Sequence, residues 1–152
     1  MKYRLSFLAI LFMFFIAVSC SSDDDTNNPD IVIFNATLNG GSEVPANNSA
    51  ASGTAVLTYN KATKTFAIRV IYSGITPTMG HIHLGAVDVS GPVVFPFDDL
   101  RSPISYVSPV LTAEQEADLL VNRYYVNLHT EAFPNGEIRG QLINTKPGSG
   151  GN

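Results

Sequence analysis

Three histidines carry the chemistry that this sequence offers. His81 and His83 stand two apart in Gly80-His81-Ile82-His83-Leu84, and His129 closes Tyr125-Val126-Asn127-Leu128-His129. On an extended strand such a His-x-His pair sets two side chains on one face, about 6.6 Å apart at Cα, twice a rise of about 3.3 Å. Rings at that spacing can converge on one ion. A third imidazole from another strand suits copper or zinc and leaves a coordination position open to water or substrate. The competing reading is structural, with the three rings hydrogen-bonded to Glu137, Asn127 and loop carbonyls beneath a Pro/Gly-rich cover. The spacing leaves both readings open.

The elements that must position these rings read as strands. Val32, Phe34, Ala36 and Leu38 alternate with more polar neighbours, as do Phe66, Ile68, Val70 and Tyr72. Gly53 to Tyr59 forms a strand between them, joined to the Phe66 strand by the polar hairpin loop Asn60-Lys61-Ala62-Thr63. Gly80 to Leu84, Pro92 to Phe97, Ile104 to Val110, Tyr124 to Thr130 and Glu137 to Ile143 complete about eight short strands. One segment breaks the pattern. Thr112-Ala113-Glu114-Gln115 has capping-box spacing and opens a helix over Ala113 to Asn122, with Ala113, Ala117, Leu120 and Val121 as its apolar stripe. Many short strands with a single helix predict an all-β fold, an antiparallel β-sandwich of immunoglobulin-like or dismutase-like form.

Strand alternation then sorts the faces. Ile82, Leu84, Val126, Leu128, Ile138 and Leu142 point to the core, while His81, His83, Tyr125, Asn127, His129, Glu137, Arg139 and Gln141 share the opposite side. If the strands are neighbours, one surface gathers three imidazoles with an amide, a carboxylate and a guanidinium. Around a metal held by His81, His83 and His129, the outer positions fall to Asn127, Glu137 and Arg139. Glu137 or Asn127 would accept a ring N–H, and Arg139 would pair with Glu137 or draw an anion to the open position.

Composition narrows the alternatives. The chain has 152 residues, 45% hydrophobic and 14% charged, which is room for one domain with short appendages. A net charge of -4 and a pI near 5.2 provide no basic field for phosphates, so nucleic acid is excluded as a partner. No Gly-x-Ser-x-Gly elbow or phosphate-binding glycine loop occurs. Asp98 and Asp99 are adjacent and diverge if extended, so they make no glycosidase pair. Phe95, Phe97 and Tyr106 read as core or sheet-face aromatics. No catalytic set is complete, and the domain is read as a binding or structural module more readily than as an enzyme.

The first 30 residues carry a different message. Lys2 and Arg4 precede the apolar run Leu5 to Val18, then come Ser19 and the single cysteine, Cys20. The apolar run is short for a membrane span, which needs about 20 residues. The order resembles a bacterial lipoprotein signal, with Ala17-Val18-Ser19-Cys20 similar to a lipobox in which Ala17 stands at the usual Leu position. The resemblance implies removal of residues 1–19 and lipidation of Cys20, an anchor to the membrane of the cell envelope. Residues 20–30 then form an acidic tether. Ser21-Ser22-Asp23-Asp24-Asp25 is similar to the export tag of surface-exposed lipoproteins in Bacteroidetes-type bacteria, which implies the outer membrane. Loss of Lys2 and Arg4 would leave seven basic and 13 acidic residues, four of the acids in the tether. Residues 145–152 make a Gly-rich tail, and residues 31–144 the domain.

That domain resembles the CHRD family, named after chordin, over roughly Ile31 to Ile143. Leu38-Asn39-Gly40-Gly41-Ser42-Glu43-Val44-Pro45, Gly53-Thr54-Ala55, the His-x-His strand and Val110-Leu111-Thr112 match its successive elements. Tyr125 to Thr130 with Pro134-Asn135-Gly136-Glu137-Ile138-Arg139-Gly140-Gln141-Leu142 match its closing signature. The family includes an extracellular growth-factor binder, which implies a protein or glycan ligand in the envelope or outside the cell. The His-x-His strand is also similar to that of copper-zinc superoxide dismutases, but three histidines cannot build their two-metal centre. What that likeness leaves is one copper or zinc ion with redox, dismutase-like activity.

Overall fold

The computed structural model describes residues 28–144. The signal segment, Cys20, all but the last three residues of the tether, and the tail 145–152 lie outside the described residues. Among the described residues nine strands and one α-helix follow in chain order: β1 Ile31–Asn39, β2 Ser52–Asn60, β3 Thr65–Ser73, β4 Met79–Leu84, β5 Val93–Pro96, β6 Ile104–Val107, α1 Ala113–Leu120, β7 Tyr124–His129, β8 Ile138–Gln141 and β9 Ile143–Asn144. Every strand pairing is antiparallel. The order across the sheet is β5-β4-β7-β8-β1-β2-β3-β6, with β9 also on β1.

The all-β expectation holds, in a sandwich-like form in which one curled sheet supplies both layers. Its two ends meet through aromatic rings. Phe95 of β5 lies 5.2 Å from Phe66 of β3, edge to face, and 6.3 Å from Tyr106 of β6. Inside the curl, Phe34, Leu38, Leu57, Tyr59, Phe66, Val70, Ile82, Val126, Leu128, Ile138 and Leu142 form the core, all nearly or wholly inaccessible. They are the apolar positions of the period-two pattern, which is why the expected strand faces are correct for β1, β3, β4, β7 and β8.

Differences lie at the boundaries. The segment Glu137 to Ile143 splits into β8 and β9, and the strand expected to run to Val110 ends at Val107. The helix stops at Leu120 because Asn122 adopts a left-handed conformation (φ 60°), which asparagine tolerates better than most residues. Its capping box is present, with Thr112 accepting from the Gln115 amide while the Gln115 side chain accepts from the Thr112 amide. The helix does not bury the expected stripe. Leu119 is its one buried residue, Leu120 and Val121 are exposed, and Glu116 docks the helix by accepting from Tyr59 Oη at 2.6 Å. A polar contact to the β2–β3 hairpin outweighs the apolar periodicity here, since eight residues need only one buried side chain to stay attached.

Candidate metal centre

Strand β7 lies between β4 and β8, and its register builds the site. His83 is opposite Tyr125, His81 opposite Asn127 and Met79 opposite His129, while on the other side Gln141 is opposite Tyr125 and Arg139 opposite Asn127. The predicted polar surface therefore exists, and β7 brings its two halves together.

This surface is not open to water. His83, Tyr125, Asn127, His129, Glu137 and Arg139 are all buried. The cover comes from three loops, residues 40–51, 85–92 and 130–137, and nearly every polar side chain holds one of them down. Arg139 Nη2 donates to Ala86 O at 2.9 Å and Val89 O at 3.1 Å, and Gln141 Nε2 donates to Gly85 O at 2.9 Å. Glu137 accepts from Ser49 Oγ at 2.6 Å and from Thr130 Oγ1. Asn47 Nδ2 donates to the carbonyl of Glu137 at 3.1 Å. Buried polar groups find partners because leaving one unmade costs about 1 to 3 kcal/mol.

The two outer-position expectations for Glu137 and Arg139 are therefore corrected. Glu137 holds Ser49 and Thr130, not an imidazole, and Arg139 binds loop carbonyls while its guanidinium sits 3.5 Å over the Tyr125 ring. Asn127 donates to Glu43 Oε2 at 3.4 Å, not to or from a ring. Short side chains on the same strand face stand beside the imidazoles, whereas loop carbonyls descend onto them from above. His83 Nδ1 donates to Gly91 O at 2.9 Å, and His129 Nδ1 donates to Pro134 O at 3.0 Å.

Those two carbonyls fix the rings. A carbonyl only accepts, so Nδ1 carries a hydrogen in both histidines and, in the neutral ring, Nε2 is the nitrogen with the lone pair. His83 Nε2 is buried and has no hydrogen-bond partner. His129 Nε2 faces His81 Nδ1 at 3.3 Å. One nitrogen from each of the three rings lies within 4.8 Å of the other two. Desolvation holds the His81 and His83 imidazoles below their ordinary pKa, helped for His81 by the His129 and His83 rings and for His83 by His129 and Arg139, against the Gly91 hydrogen bond that favours protonation of His83. Neutral rings with converging lone pairs are the form that ligates a cation.

Sequence reasoning missed two residues. Glu43, in the loop after β1, is 7% exposed, and burial pushes its carboxyl up to about 7 against the opposing charge of Arg139 and the hydrogen bonds to Asn127 and the Val44 backbone. Its Oε1 and Asn127 Oδ1 are both buried without a partner. Both lie 2.7 Å from the point where a Cβ on Gly136 would stand. The amide and the carboxyl are joined by Asn127 Nδ2, which donates to Glu43 Oε2 at 3.4 Å. Gly136 makes this possible, with φ 127° and no side chain. The second missed residue is Tyr125, whose ring stacks on His83 and whose hydroxyl accepts from Gly91 N at 3.1 Å. Both stand in segments that carry the family resemblance, but their roles were not legible there, since both act through contacts distant in the chain.

Comparison with known proteins adds one match. No curated protein and no solved structure matches the chain. A family model for the CHRD domain matches residues 34–142, from the fourth residue pair of the β1–β2 hairpin to the end of β8 and one residue beyond. That span contains all three histidines, Glu43 and each of the covering loops. The chain belongs to the CHRD domain family.

Proposed function

We propose that this is an exported, lipid-anchored envelope protein whose single CHRD domain is a non-catalytic module that binds one copper or zinc ion through His81, His83 and His129. One observation carries the metal reading: the buried, unpartnered Nε2 of His83, whose ring is held by the Gly91 carbonyl and is one of three imidazoles that each offer a nitrogen within 4.8 Å of the other two. Hydrogen bonding explains one nitrogen of His83 and leaves the other without a partner. A cation among the three nitrogens supplies what is missing, and the loop carbonyls act as the outer acceptors that orient ligating imidazoles.

Calorimetric titration of the metal-free protein with copper(II) and zinc(II), repeated on His83→Ala, tests this. One ion bound per chain, lost in the variant, is the expected result. Binding no tighter than surface histidines provide, or unchanged in His83→Ala, returns the rings to the role of loop fasteners. Affinity should also fall at acid pH, below the ordinary histidine value of about 6.5 because burial holds His81 and His83 down, since ligation needs the neutral ring.

The envelope part of the proposal is supported by the order of charge, apolar run and Cys20 at the start of the chain. Among the described residues no helix is long and apolar enough to cross a membrane. Cys20→Ala should abolish labelling by radioactive palmitate, and a variant that still takes up label would overturn the anchor.

A further inference from the structure

We infer that Met79 is a fourth, labile ligand of this centre and that its thioether makes copper(I) the preferred ion. The inference rests on the three-histidine reading.

The placement comes from the strand. In β4 Gly80 and Ile82 face the core, for a Cβ on Gly80 would meet Leu128 at 2.8 Å, Leu100 at 3.0 Å and Phe97 at 3.1 Å, and Ile82 is fully buried. Alternation puts Met79 on the same face as His81 and His83. Its register partner across the strand pair is His129. The preceding residue fixes that level of the strand, since Thr78 donates to His129 O from its backbone N–H at 2.8 Å and from its hydroxyl at 3.4 Å. Directly opposed residues of an antiparallel pair have Cβ atoms about 4.5 to 5.5 Å apart. A methionine side chain spans that gap with three rotatable bonds to choose from.

Met79 is also 45% exposed, at the rim where His81 is only half-buried. A side chain there costs little to move, which suits a ligand that closes over an ion already held by three rings. The cover loops occupy the other sides of the cluster, so the Met79 rim is where an arriving ion meets the site.

Charge decides which ion. All three imidazoles are neutral donors, and no carboxylate belongs to the cluster. A positive charge stands behind His83: the Arg139 guanidinium lies over Tyr125, and the Tyr125 ring lies stacked on His83. A divalent ion would bring two further positive charges into this partly buried setting without an anionic ligand, whereas a monovalent ion brings one. Soft thioether donors favour copper(I), while zinc gains little from them.

The experiment uses the full-length protein in detergent, titrated anaerobically with copper(I) against a chromogenic chelator and separately with zinc(II), alongside Met79→Leu and His83→Ala. Met79→Leu should weaken copper(I) binding about tenfold or more, as loss of a tuning ligand does, and leave zinc(II) within about twofold. X-ray absorption of the copper(I) form should show a sulfur neighbour at about 2.3 Å that the variant lacks. Equal copper(I) affinity in Met79→Leu, or no sulfur neighbour in the parent, overturns the assignment of Met79 alone if His83→Ala still abolishes binding. If His83→Ala binds as the parent does, the three-histidine reading and this one fall together.

Discussion

The rings of His83 and Tyr125 lie face to face, 4.9 Å between centroids and within 9° of parallel. They are opposed residues of β4 and β7, and the Arg139 guanidinium from β8 covers the same tyrosine ring. A cation, a phenol and an imidazole therefore form one stack across three strands, and the stack sets the plane in which His83 presents Nε2. The tyrosine hydroxyl completes the arrangement by accepting from Gly91 N, so the same residue orients His83 and holds the loop whose carbonyl fixes its tautomer.

Tyr125→Phe separates these two roles. The stack remains, the Gly91 amide loses its acceptor, and stability should fall by about 1 kcal/mol in denaturant unfolding. Hydrogen exchange at Gly91 should quicken by more than exchange at core amides of β7. Tyr125→Ala removes ring and hydroxyl together and should cost about 3 to 5 kcal/mol.

Glu43 gives a pH signature of definite sign. Its folded pKa is raised, from 4.5 to about 7, so the folded state holds the proton more tightly than the unfolded chain. The stability this contributes is fully present below about pH 4.5 and is lost as pH rises through 7. Glu43→Gln imitates the neutral acid at every pH. At about 1.4 kcal/mol per unit, the variant should gain about 3 kcal/mol relative to the parent between pH 4.5 and pH 8, with little difference at the acid end. Parallel unfolding curves at the two pH values check it, and a constant difference between the proteins would show that folding does not raise the Glu43 pKa.

Within β7, Val126→Ala and Leu128→Ala should each cost about 2 to 4 kcal/mol, since both side chains are fully buried in the core. A water-facing Asn127 would make its alanine variant nearly neutral. Asn127 is instead 4% exposed and paired with Glu43, so Asn127→Ala should cost about 1 to 3 kcal/mol by stranding a buried carboxyl. Chemical denaturation of the three variants side by side measures the difference.

Gly91→Ala tests the loop over His83. A Cβ on Gly91 would stand 1.6 Å from the Leu84 carbonyl oxygen, so the loop must withdraw from β4. We expect a loss of about 1 to 3 kcal/mol, as for other overpacked sites, together with loss of the tautomer preference of His83 in nitrogen-15 spectra of its ring.

The sequence was most legible where one rule governs. Period-two alternation located the strands and assigned Ile82, Val126, Leu128, Ile138 and Leu142 inward, and it put His81, His83 and His129 on a common face. It could not say that this face is roofed, because the roof is made of loops whose positions depend on side chains far away in sequence. Ser49 reaches Glu137, and Asn47 reaches the Glu137 carbonyl, across some 90 residues of chain. Of the acceptors expected for the imidazole N–H groups, loop carbonyls hold and Glu137 and Asn127 do not; which carbonyls was not legible, because one such as that of Gly91 or Pro134 is present at every position and leaves no mark in the residue types. Helix α1 illustrates the converse, in which the capping box was readable while the buried face was chosen by Tyr59 on a distant strand.

The place of β1 in the sheet has a consequence for how the chain can be made. Although first in sequence, β1 is held between β2 and the late-arriving β8 and β9, and β4 finds its inner partner only in β7. A nascent chain that has emerged as far as Leu120 holds two incomplete pieces, β1-β2-β3-β6 and β4-β5, each with an unsatisfied edge and no strand pairing between them. The final strands close the gap between them in one step. The sheet of the domain is thus complete only after β7, β8 and β9 have left the ribosome, so its folding waits for contacts distant in sequence.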